Sequence, residues 1–294
     1  MLKNKTLGSK LFTILNITIL VILAVLCLLP LLNVLAISFS SASAAATGNI
    51  KLWPVDFTLA SYKYVLSKKE FLTALWVSVK RLFLGVSVNM ILTILAAYPL
   101  SKDKTRFRHR SIYTWFFIIT ILFNGGLIPG YMTMKTYGLL DSIWALVLPS
   151  AVPVFNIILL MNFFRELPIE IEEAAFIDGA GPWTSLWKLY LPLSKPALAT
   201  LVLFAAVAHW NSWFDGLLFM NNPNHYPLQS YLQTVIINRD MSVMSASTLK
   251  ELAAISDRTA KAAQVFIGAV PILLVYPFLQ RYFTKGLVLG SVKG

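Results

Sequence analysis

Long apolar segments alternate along the chain with short stretches that hold most of the charged residues. A membrane-spanning helix needs about 20 apolar residues. Six segments reach or approach this length: residues 11–39, 71–100, 111–127, 142–164, 197–220 and 262–283. The pattern therefore predicts an all-α integral membrane protein with six transmembrane helices, which form a single domain over residues 1–294.

The composition supports a membrane protein. Of the 294 residues, 57% are hydrophobic and only 13% are charged, whereas soluble domains carry about a quarter charged residues. The single cysteine, Cys27, lies inside an apolar segment and excludes a disulfide framework.

Basic residues cluster at the ends of the apolar segments, and the loop between the second and third segments carries most of them. It contains Lys102, Lys104, Arg106, Arg108 and Arg110. The positive-inside rule places such a loop in the cytoplasm. The chain is then a multi-pass protein of the cell (inner or cytoplasmic) membrane with cytoplasmic N- and C-termini. The net charge of +12 is accounted for in this way. No basic run interleaves with aromatic residues as in a nucleic-acid surface, so we expect no nucleic-acid partner.

Two features of the apolar segments allow alternative interpretations. The first segment has a positive flank and is followed by small residues, as in a signal peptide. Its apolar run exceeds the roughly 7–15 residues of a signal core, which favours an uncleaved anchor. In the second segment, Lys80 and Arg81 could be buried functional charges. Residues 82–100 alone nearly fill the bilayer, which favours an interfacial position with snorkelling side chains.

Residues 166–196 form a polar stretch between the fourth and fifth apolar segments, and we predict two short helices joined by a turn. Pro168 suits a first helical turn, and the acidic residues that follow suit the helix dipole. Asp178-Gly179 ends this helix and Pro182 opens the second. The unit is too short for a core of its own. Its apolar face therefore docks on a partner or packs against its own spans.

The spacing within this stretch carries a family resemblance. The stretch contains Glu173-Ala174-Ala175, then Gly179 after three further residues, Leu189 after nine more, and Leu191-Pro192 after one more. This arrangement resembles the EAA loop of ABC importer permeases. Trp210-Asn211 and the C-terminal tail, residues 284–294, are similar to maltose-type sugar permeases. Within that family the chain looks closest to complex-oligosaccharide or aldouronate permeases. The resemblance implies the type I ABC importer permease fold, with a cytoplasmic coupling helix between spans 4 and 5.

The resemblance also implies partners and contact residues. The partners are two ABC ATPase subunits, a second six-span permease subunit of different sequence, an extracytoplasmic solute-binding protein and membrane lipid. This chain would bind no cofactor, because ATP and Mg would lie in the ATPase subunits. Glu173 would pair with a basic ATPase residue. The implied ATPase-coupling residues are Glu172, Glu173, Ala174, Ala175, Asp178, Gly179, Ala180, Leu189 and Pro192, and the implied tail contacts are Lys285, Gly286, Gly290, Lys293 and Gly294. The glycine-rich, basic tail suits an extended segment better than a packed helix.

The fifth apolar segment is the most polar and supplies most candidates for a solute pathway. The candidates are Asn156, His209, Trp210, Asn211, Trp213 and Asp215, and Asn89, Asn124 and Asn162 are weaker ones. A sugar suits a tryptophan face with directed hydrogen bonds. In a regular helix, however, His209 and Ser212 lie on one face and Asp215 on another, so the polar residues would not all line one pore. Alternatively, Trp213 and Asp215 lie in the outer headgroup zone and Asn211 bonds a neighbouring helix.

Motifs for catalysis are absent from the sequence. It contains no phosphate-binding G-x-x-x-x-G-K-[S/T] loop and no His/Cys/Asp/Glu spacing typical of a metal site. We therefore expect a pore-forming subunit that imports a sugar, an oligosaccharide from polysaccharide breakdown, by alternating access. The alternatives are import of a non-sugar solute, or an ion-driven secondary transporter. The latter would carry several intramembrane charges and paired broken helices.

Overall fold

The structure is a computed structural model that describes residues 7–123, 125–237 and 256–289. These residues form helices and connecting turns without any strand, which confirms the predicted all-α class. The chain divides into two compact units, which are described separately below. The first contains Met1–Lys69 and Val235–Val270, and the second contains Glu70–Thr234 and Pro271–Gly294.

The helices are numbered in chain order. They are α1 (Leu7–Ser38), α2 (Ala42–Thr47), α3 (Ala60–Ser67), α4 (Lys69–Ser101), α5 (Arg110–Leu122), α6 (Leu127–Thr136), α7 (Ile143–Val147), α8 (Val154–Glu166), α9 (Ile169–Ile177), α10 (Pro182–Ser185), α11 (Leu191–Leu193), α12 (Lys195–Asn211), α13 (Phe214–Phe219), α14 (Leu228–Ile237) and α15 (Asp257–Leu289). A π-helical turn, Leu186–Tyr190, joins α10 to α11.

Two helical segments are each long and apolar enough to cross a membrane, Gly8–Ser38 and Lys69–Ser101. Three bent pairs also qualify if each pair counts as one span: α5 with α6, Ile143–Ser150 with α8, and Pro182–Leu193 with α12. The described residues thus offer up to five candidate spans. The predicted sixth segment, residues 262–283, falls within α15. The count of six spans stays a prediction.

Several elements differ from the sequence prediction. The fourth apolar segment bends by 50° between Ser150 and α8. This region contains Pro149 and Pro153, which lack the N–H group of a regular helix. The fifth apolar segment is interrupted between Asn211 and Phe214. Between the third and fourth apolar segments, where the sequence pattern predicts only an outer loop, the structure has α6, and it has α14 after the fifth segment. The sequence also predicts a helix near Leu249–Ala254, which lies outside the described residues.

The first unit packs small residues closely. Ala36 and Ile37 of α1, Ala44 and Ala45 of α2, Ile50 and Ala262 form its buried cluster. Ser61 of α3 donates from its hydroxyl to Thr259 Oγ1 of α15 at 2.9 Å. Alanine and hydroxyl side chains allow helix backbones to approach closely.

The second unit has a buried core that joins α4, α8 and α12 to the stretch between spans 4 and 5. Aromatic rings lie at its centre: Tyr190 contacts the edges of Tyr98 and Phe164, with ring centroids 5.1 and 5.3 Å away. Leu186 is buried beside them. The π-helical turn after α10 is therefore fixed to the spans, although α9 and α10 lack a core of their own.

Candidate functional site

Residues 168–193 form the helix–turn–helix that the sequence predicts. Pro168 precedes α9, and Asp178 caps its C-terminus. Gly179 has a φ of +80°, the left-handed conformation that glycine adopts without a Cβ penalty. The Ala180 N–H donates to the Ala175 carbonyl at 2.8 Å and closes the turn. Pro182 then opens α10.

This unit exposes several large apolar side chains. Ile177 is 86% exposed, Trp183 64% and Trp187 61%. Glu173 and Ala174 are exposed on the same helix, and Ala175 is half-buried. We call Glu173, Ala174, Ile177, Trp183 and Trp187 the coupling surface. Exposed apolar patches of this kind mark interaction sites.

The remaining predicted coupling residues lie at different depths. Asp178, Gly179 and Pro192 are exposed. Ala180 and Leu189 are half-buried. Glu172, in contrast, is only 5% exposed. Glu172, which directly precedes Glu173 of the coupling surface, therefore points into the protein.

Glu172 forms a buried cluster with residues that follow α4. Its Oε1 atom lies 2.6 Å from Lys102 Nζ and 2.9 Å from Arg106 Nη1. The Tyr190 hydroxyl donates to its Oε2 atom at 2.6 Å. Lys102 Nζ also lies over the rings of Tyr98 and Tyr190, 4.1 and 3.8 Å from their centroids. We call Glu172, Lys102, Arg106 and Tyr190 the Glu172 anchor.

The contacts within the Glu172 anchor determine the protonation states of the Glu172 carboxyl and the Tyr190 hydroxyl. Burial alone would raise the pKa of the Glu172 carboxyl, but the hydrogen bonds from Lys102 and Tyr190 and the two cations lower it below its ordinary value of 4.5. Burial and the neighbouring carboxylate raise the pKa of the Tyr190 hydroxyl above its ordinary value of 10.0. At neutral pH, Glu172 is therefore ionised and Tyr190 remains a hydrogen-bond donor.

A cavity of about 630 Å³ lies in the second unit between α4, the bent fourth segment, α12 and α13. The polar residues that line it are Arg81, Asn89, Ser150, Asn156, His209, Ser212 and Asp215. Asn89 donates to the carbonyl groups of Ser150 and Ala151 at 2.7 and 3.0 Å, next to the bend. The Asn89 Oδ1 atom lies 3.0 Å from His209 Nε2. Two bent segments and α4 are thus joined around the cavity.

Arg81 and Asp215 form an ion pair in the wall of this cavity. The Arg81 side chain is 2% exposed, and its two terminal nitrogens both donate to the Asp215 carboxylate. Arg81 Nη1 also donates to the carbonyl of Ser212 at 3.1 Å. The snorkelling side chain expected for Arg81 is therefore wrong, whereas Lys80 is exposed and lies 5.5 Å from the ring centroid of Trp76.

The ion pair stabilises the interruption between α12 and α13. Ser212 caps the C-terminus of α12, where the helix dipole favours a cation, and Arg81 contacts its carbonyl. Asp215 lies in the first turn of α13, where the dipole favours an anion, and it also accepts from Ser212 Oγ and Gly216 N. Each charge therefore lies at the helix end that favours it.

The interruption changes which predicted residues meet. Because α12 ends at Asn211, Asp215 lines the same cavity as His209 and Ser212, so the separation expected for a regular helix is wrong. Asn156 lines this cavity as well. Three predicted residues are placed elsewhere. Trp210 lies at a separate apolar pocket with Leu82 and Pro271, Trp213 is 41% exposed, and Asn211 is exposed.

Arg81 is the cavity residue that sequence reasoning placed wrongly. Two opposite charges within apolar segments, Arg81 and Asp215, were a signal that each needs a partner.

Only part of the predicted C-terminal tail can be compared with the structure. Lys285 and Gly286 belong to α15, so residues 284–289 are helical rather than extended. Gly290, Lys293 and Gly294 lie outside the described residues. Among the described residues, no group of three or more His, Cys, Asp and Glu could hold a metal ion.

Comparison with known proteins identifies the class of the chain. Residues 8–288 match the family described as binding-protein-dependent transport system inner membrane component. The chain belongs to this family of membrane-spanning permeases, the non-catalytic, pore-forming subunits of ABC transporters. The predicted resemblance to ABC importer permeases is confirmed.

Individual relatives define the branch more closely. Protein LplC of Bacillus subtilis is 42% identical over 87% of this chain and 86% of its own length. The polygalacturonan/rhamnogalacturonan transport system permease protein YtcP of the same species is 38% identical over 87% of this chain and 89% of its own. A crystal structure of a bacterial ABC transporter that imports the acidic polysaccharide alginate contains a chain with a TM-score of 0.87 and 34% identity. The match covers 95% of this chain and 98% of that one. The type I permease fold is therefore confirmed.

Proposed function

We propose that this chain is the permease subunit of an ABC importer for an oligosaccharide released from a polysaccharide. Its similarity to a permease for polygalacturonan and rhamnogalacturonan and to an alginate transporter supports this cargo class. The exposed coupling surface lies in the same compact unit as a polar cavity large enough for part of a sugar chain. That combination suits a subunit that receives force at one surface and moves solute at another.

The cavity offers the chemistry that a sugar requires. Carboxylate, amide and hydroxyl groups form directed hydrogen bonds with sugar hydroxyls, and a few such groups in a largely apolar wall give orientation. The Asp215 side chain is 22% exposed, so its carboxylate can accept from a solute hydroxyl while it remains paired with Arg81. We assign Asn156, His209, Ser212 and Asp215 to the solute pathway.

The coupling surface supports a second assignment. Glu173 would pair with a basic residue of an ABC ATPase, Ala174 would allow close packing, and Ile177, Trp183 and Trp187 would enter an apolar groove of that subunit. Lys285 and Gly286 of α15, with Gly290, Lys293 and Gly294, would also contact the ATPase. ATP and Mg would be bound by two such ATPase subunits and not by this chain.

The complete importer would contain further partners. A second permease subunit of different sequence would complete the pore, and an extracytoplasmic binding protein would deliver solute to its outer mouth. The basic loop Lys102–Arg110 precedes α5 and contacts the coupling unit through Glu172, which supports a cytoplasmic position for both and cytoplasmic termini. The complex would then lie in the cell membrane and work by alternating access.

Copurification and ATPase measurements test this function. The chain is expressed with its neighbouring genes, purified in mild detergent and assayed for ATPase activity with and without loaded binding protein. We expect the chain to form a stable complex with an ATPase, and we expect loaded binding protein to stimulate the ATPase activity of that complex. Glu173→Lys should abolish the complex. The matched control is Glu166→Lys, which changes an exposed charge at the end of α8, away from the coupling surface, and leaves assembly intact. A chain that purifies alone and moves solute on an ion gradient would instead establish a secondary transporter.

A further inference from the structure

Two neighbouring glutamates of α9 point in different directions. Consecutive residues of an α-helix are about 100° apart around its axis. Glu173 is exposed on the coupling surface, whereas Glu172 is buried in the Glu172 anchor. The pair of acidic residues therefore divides its contacts between the outside of the chain and its interior.

The anchor fastens α9 to the end of α4. Lys102 directly follows α4, and Arg106 lies in the turn after it. Two more arginines hold the same end: Arg165 donates to the Leu100 carbonyl at 2.8 Å, and Arg110 donates to the Lys102 carbonyl at 2.8 Å. The Leu100 carbonyl in the last turn of α4 and the Lys102 carbonyl directly after it are thus bonded to cations, which the helix dipole favours at this end.

The same helix reaches the cavity. α4 is a single helix of 33 residues, and both Arg81 and Asn89 belong to it. At 1.5 Å per residue, Lys102 lies about 30 Å from Arg81 along the helix axis. Through Arg81 and Asn89, α4 holds the interruption after α12 and the carbonyls beside the bend of the fourth segment. One continuous helix, with Lys102 directly after it, therefore contacts both the coupling unit and the cavity wall.

We propose that Glu172 is a positioning residue of the transport cycle, which links α9 to α4 so that movement of the coupling surface reaches Arg81 and Asn89 at the cavity. This role rests on the proposed docking of the coupling surface to an ATPase, but it is distinct from docking. Because two cations and a tyrosine hydroxyl hold the Glu172 carboxylate, a displacement of α9 is transmitted to the end of α4. A purely apolar contact at this position would allow sliding.

The proposal is tested in the complete complex, reconstituted in liposomes with its ATPase, second permease and solute-binding protein. The quantity measured is solute transported per ATP hydrolysed. Glu172→Gln keeps the side-chain shape and removes the charge. We expect the ATPase to copurify as in the wild type and to hydrolyse ATP, while transport per ATP falls by at least about fivefold, the lower range of coupling between sites. Glu166→Gln, which removes an exposed charge at the end of α8, should match the wild type.

A covalent link tests whether connection or charge matters. In a Cys27→Ser background, Lys102→Cys combined with Glu172→Cys is joined by a short thiol-reactive cross-linker. We expect low transport per ATP before cross-linking and recovery afterwards. A residue that only stabilises the fold would gain thermal stability from the link without recovery of this ratio. Tyr190→Phe, which removes one hydrogen bond to Glu172, supplies a milder variant if Glu172→Gln fails to assemble, and a partial loss of the ratio is expected.

Several outcomes overturn the proposal. If Glu172→Gln loses the ATPase on purification, as we expect of Glu173→Lys, Glu172 is a docking residue. If transport per ATP is unchanged in Glu172→Gln, or in Tyr190→Phe where that variant replaces it, the link is irrelevant to coupling. A wild-type complex that neither hydrolyses ATP in response to binding protein nor transports solute would contradict the proposed function itself, which separates the two failures.

Discussion

Arg81 and Asp215 are held at the cavity wall by one another, which makes each dependent on its partner. Removal of one member of a buried ion pair typically costs about 3–5 kcal/mol, whereas replacement of both by apolar residues is often neutral. We predict that Arg81→Met and Asp215→Leu each lower the thermal stability of the purified complex strongly and that the double variant recovers most of it. Thermal unfolding in detergent measures this. Equal losses in the single and double variants would contradict the mutual dependence.

Glu172 gives a pH dependence that can be assigned to one residue. Its folded pKa is lower than its ordinary value of 4.5. Its stabilising contribution is therefore fully present above that value and is lost as the pH falls through the lower, folded pKa. We predict that wild type and Glu172→Gln differ most in unfolding temperature near neutral pH and converge in acid. A constant difference between about pH 3 and 7 would show that the charge of Glu172 has no part in the anchor.

The sequence predicted the helix–turn–helix of residues 168–193 well because its signals are local. The acidic first turn, Asp178-Gly179 and Pro182 act within a few residues of the structures that they define. The ion pair of Arg81 was missed because its partner is 134 residues away. The hydrophobic pattern indicates that a charge in an apolar segment is costly, but it does not indicate which element supplies the opposite charge.

Among the elements, α4 packs against the His209 side chain of α12 at Gly85. A Cβ atom at this position would lie 2.6 Å from Cδ2 of His209, closer than real side chains tolerate. We predict that Gly85→Ala displaces His209, breaks its contact with Asn89 and costs about 1–3 kcal/mol, as overpacking usually does. The control is Gly130→Ala in α6, where a Cβ meets nothing within 4 Å and the change should be neutral or slightly stabilising.

A double-variant cycle locates the cause of the Gly85→Ala effect. His209→Ala removes the ring that the new methyl group would meet, so Gly85→Ala should cost much less in that background. Thermal unfolding of the four proteins measures the coupling. Strict additivity of the two changes would mean that Gly85 is needed for some other contact.

The interruption between α12 and α13 illustrates what element prediction lacks. The residues at the interruption, Asn211, Ser212 and Trp213, include neither proline nor glycine, so no local breaker indicates it. Its stability comes from Arg81 on another helix. By contrast, the bend in the fourth segment coincides with Pro149 and Pro153, which the sequence displays directly. Tertiary contacts therefore decide the break that shapes the cavity.

At the scale of the whole molecule, the charge balance of the cavity bears on its cargo. Among the described residues that line the cavity, the only arginine, lysine or acidic side chains are Arg81 and Asp215. Their opposite charges offset one another in an ion pair. Two unit charges 4 Å apart interact by about 1 kcal/mol in water and about 4 kcal/mol at an effective dielectric constant near 20. An uncompensated charge at this wall would therefore alter the preference between acidic and neutral oligosaccharides by roughly tenfold or more.

Asp215→Asn and Arg81→Gln should therefore shift cargo preference in opposite directions. In Asp215→Asn the uncompensated Arg81 attracts a carboxylate, so the transport of an acidic oligosaccharide relative to a neutral one should rise. In Arg81→Gln the uncompensated Asp215 repels it, so the ratio should fall. Both are measured in the reconstituted complex with a matched pair of labelled oligosaccharides, and Lys80→Gln, which changes an exposed charge beside Arg81, is the control. Because loss of stability would reduce transport of both cargoes alike, only an opposite change in the ratio assigns Arg81 and Asp215 to the solute pathway. An unchanged ratio in both variants would place that pathway elsewhere.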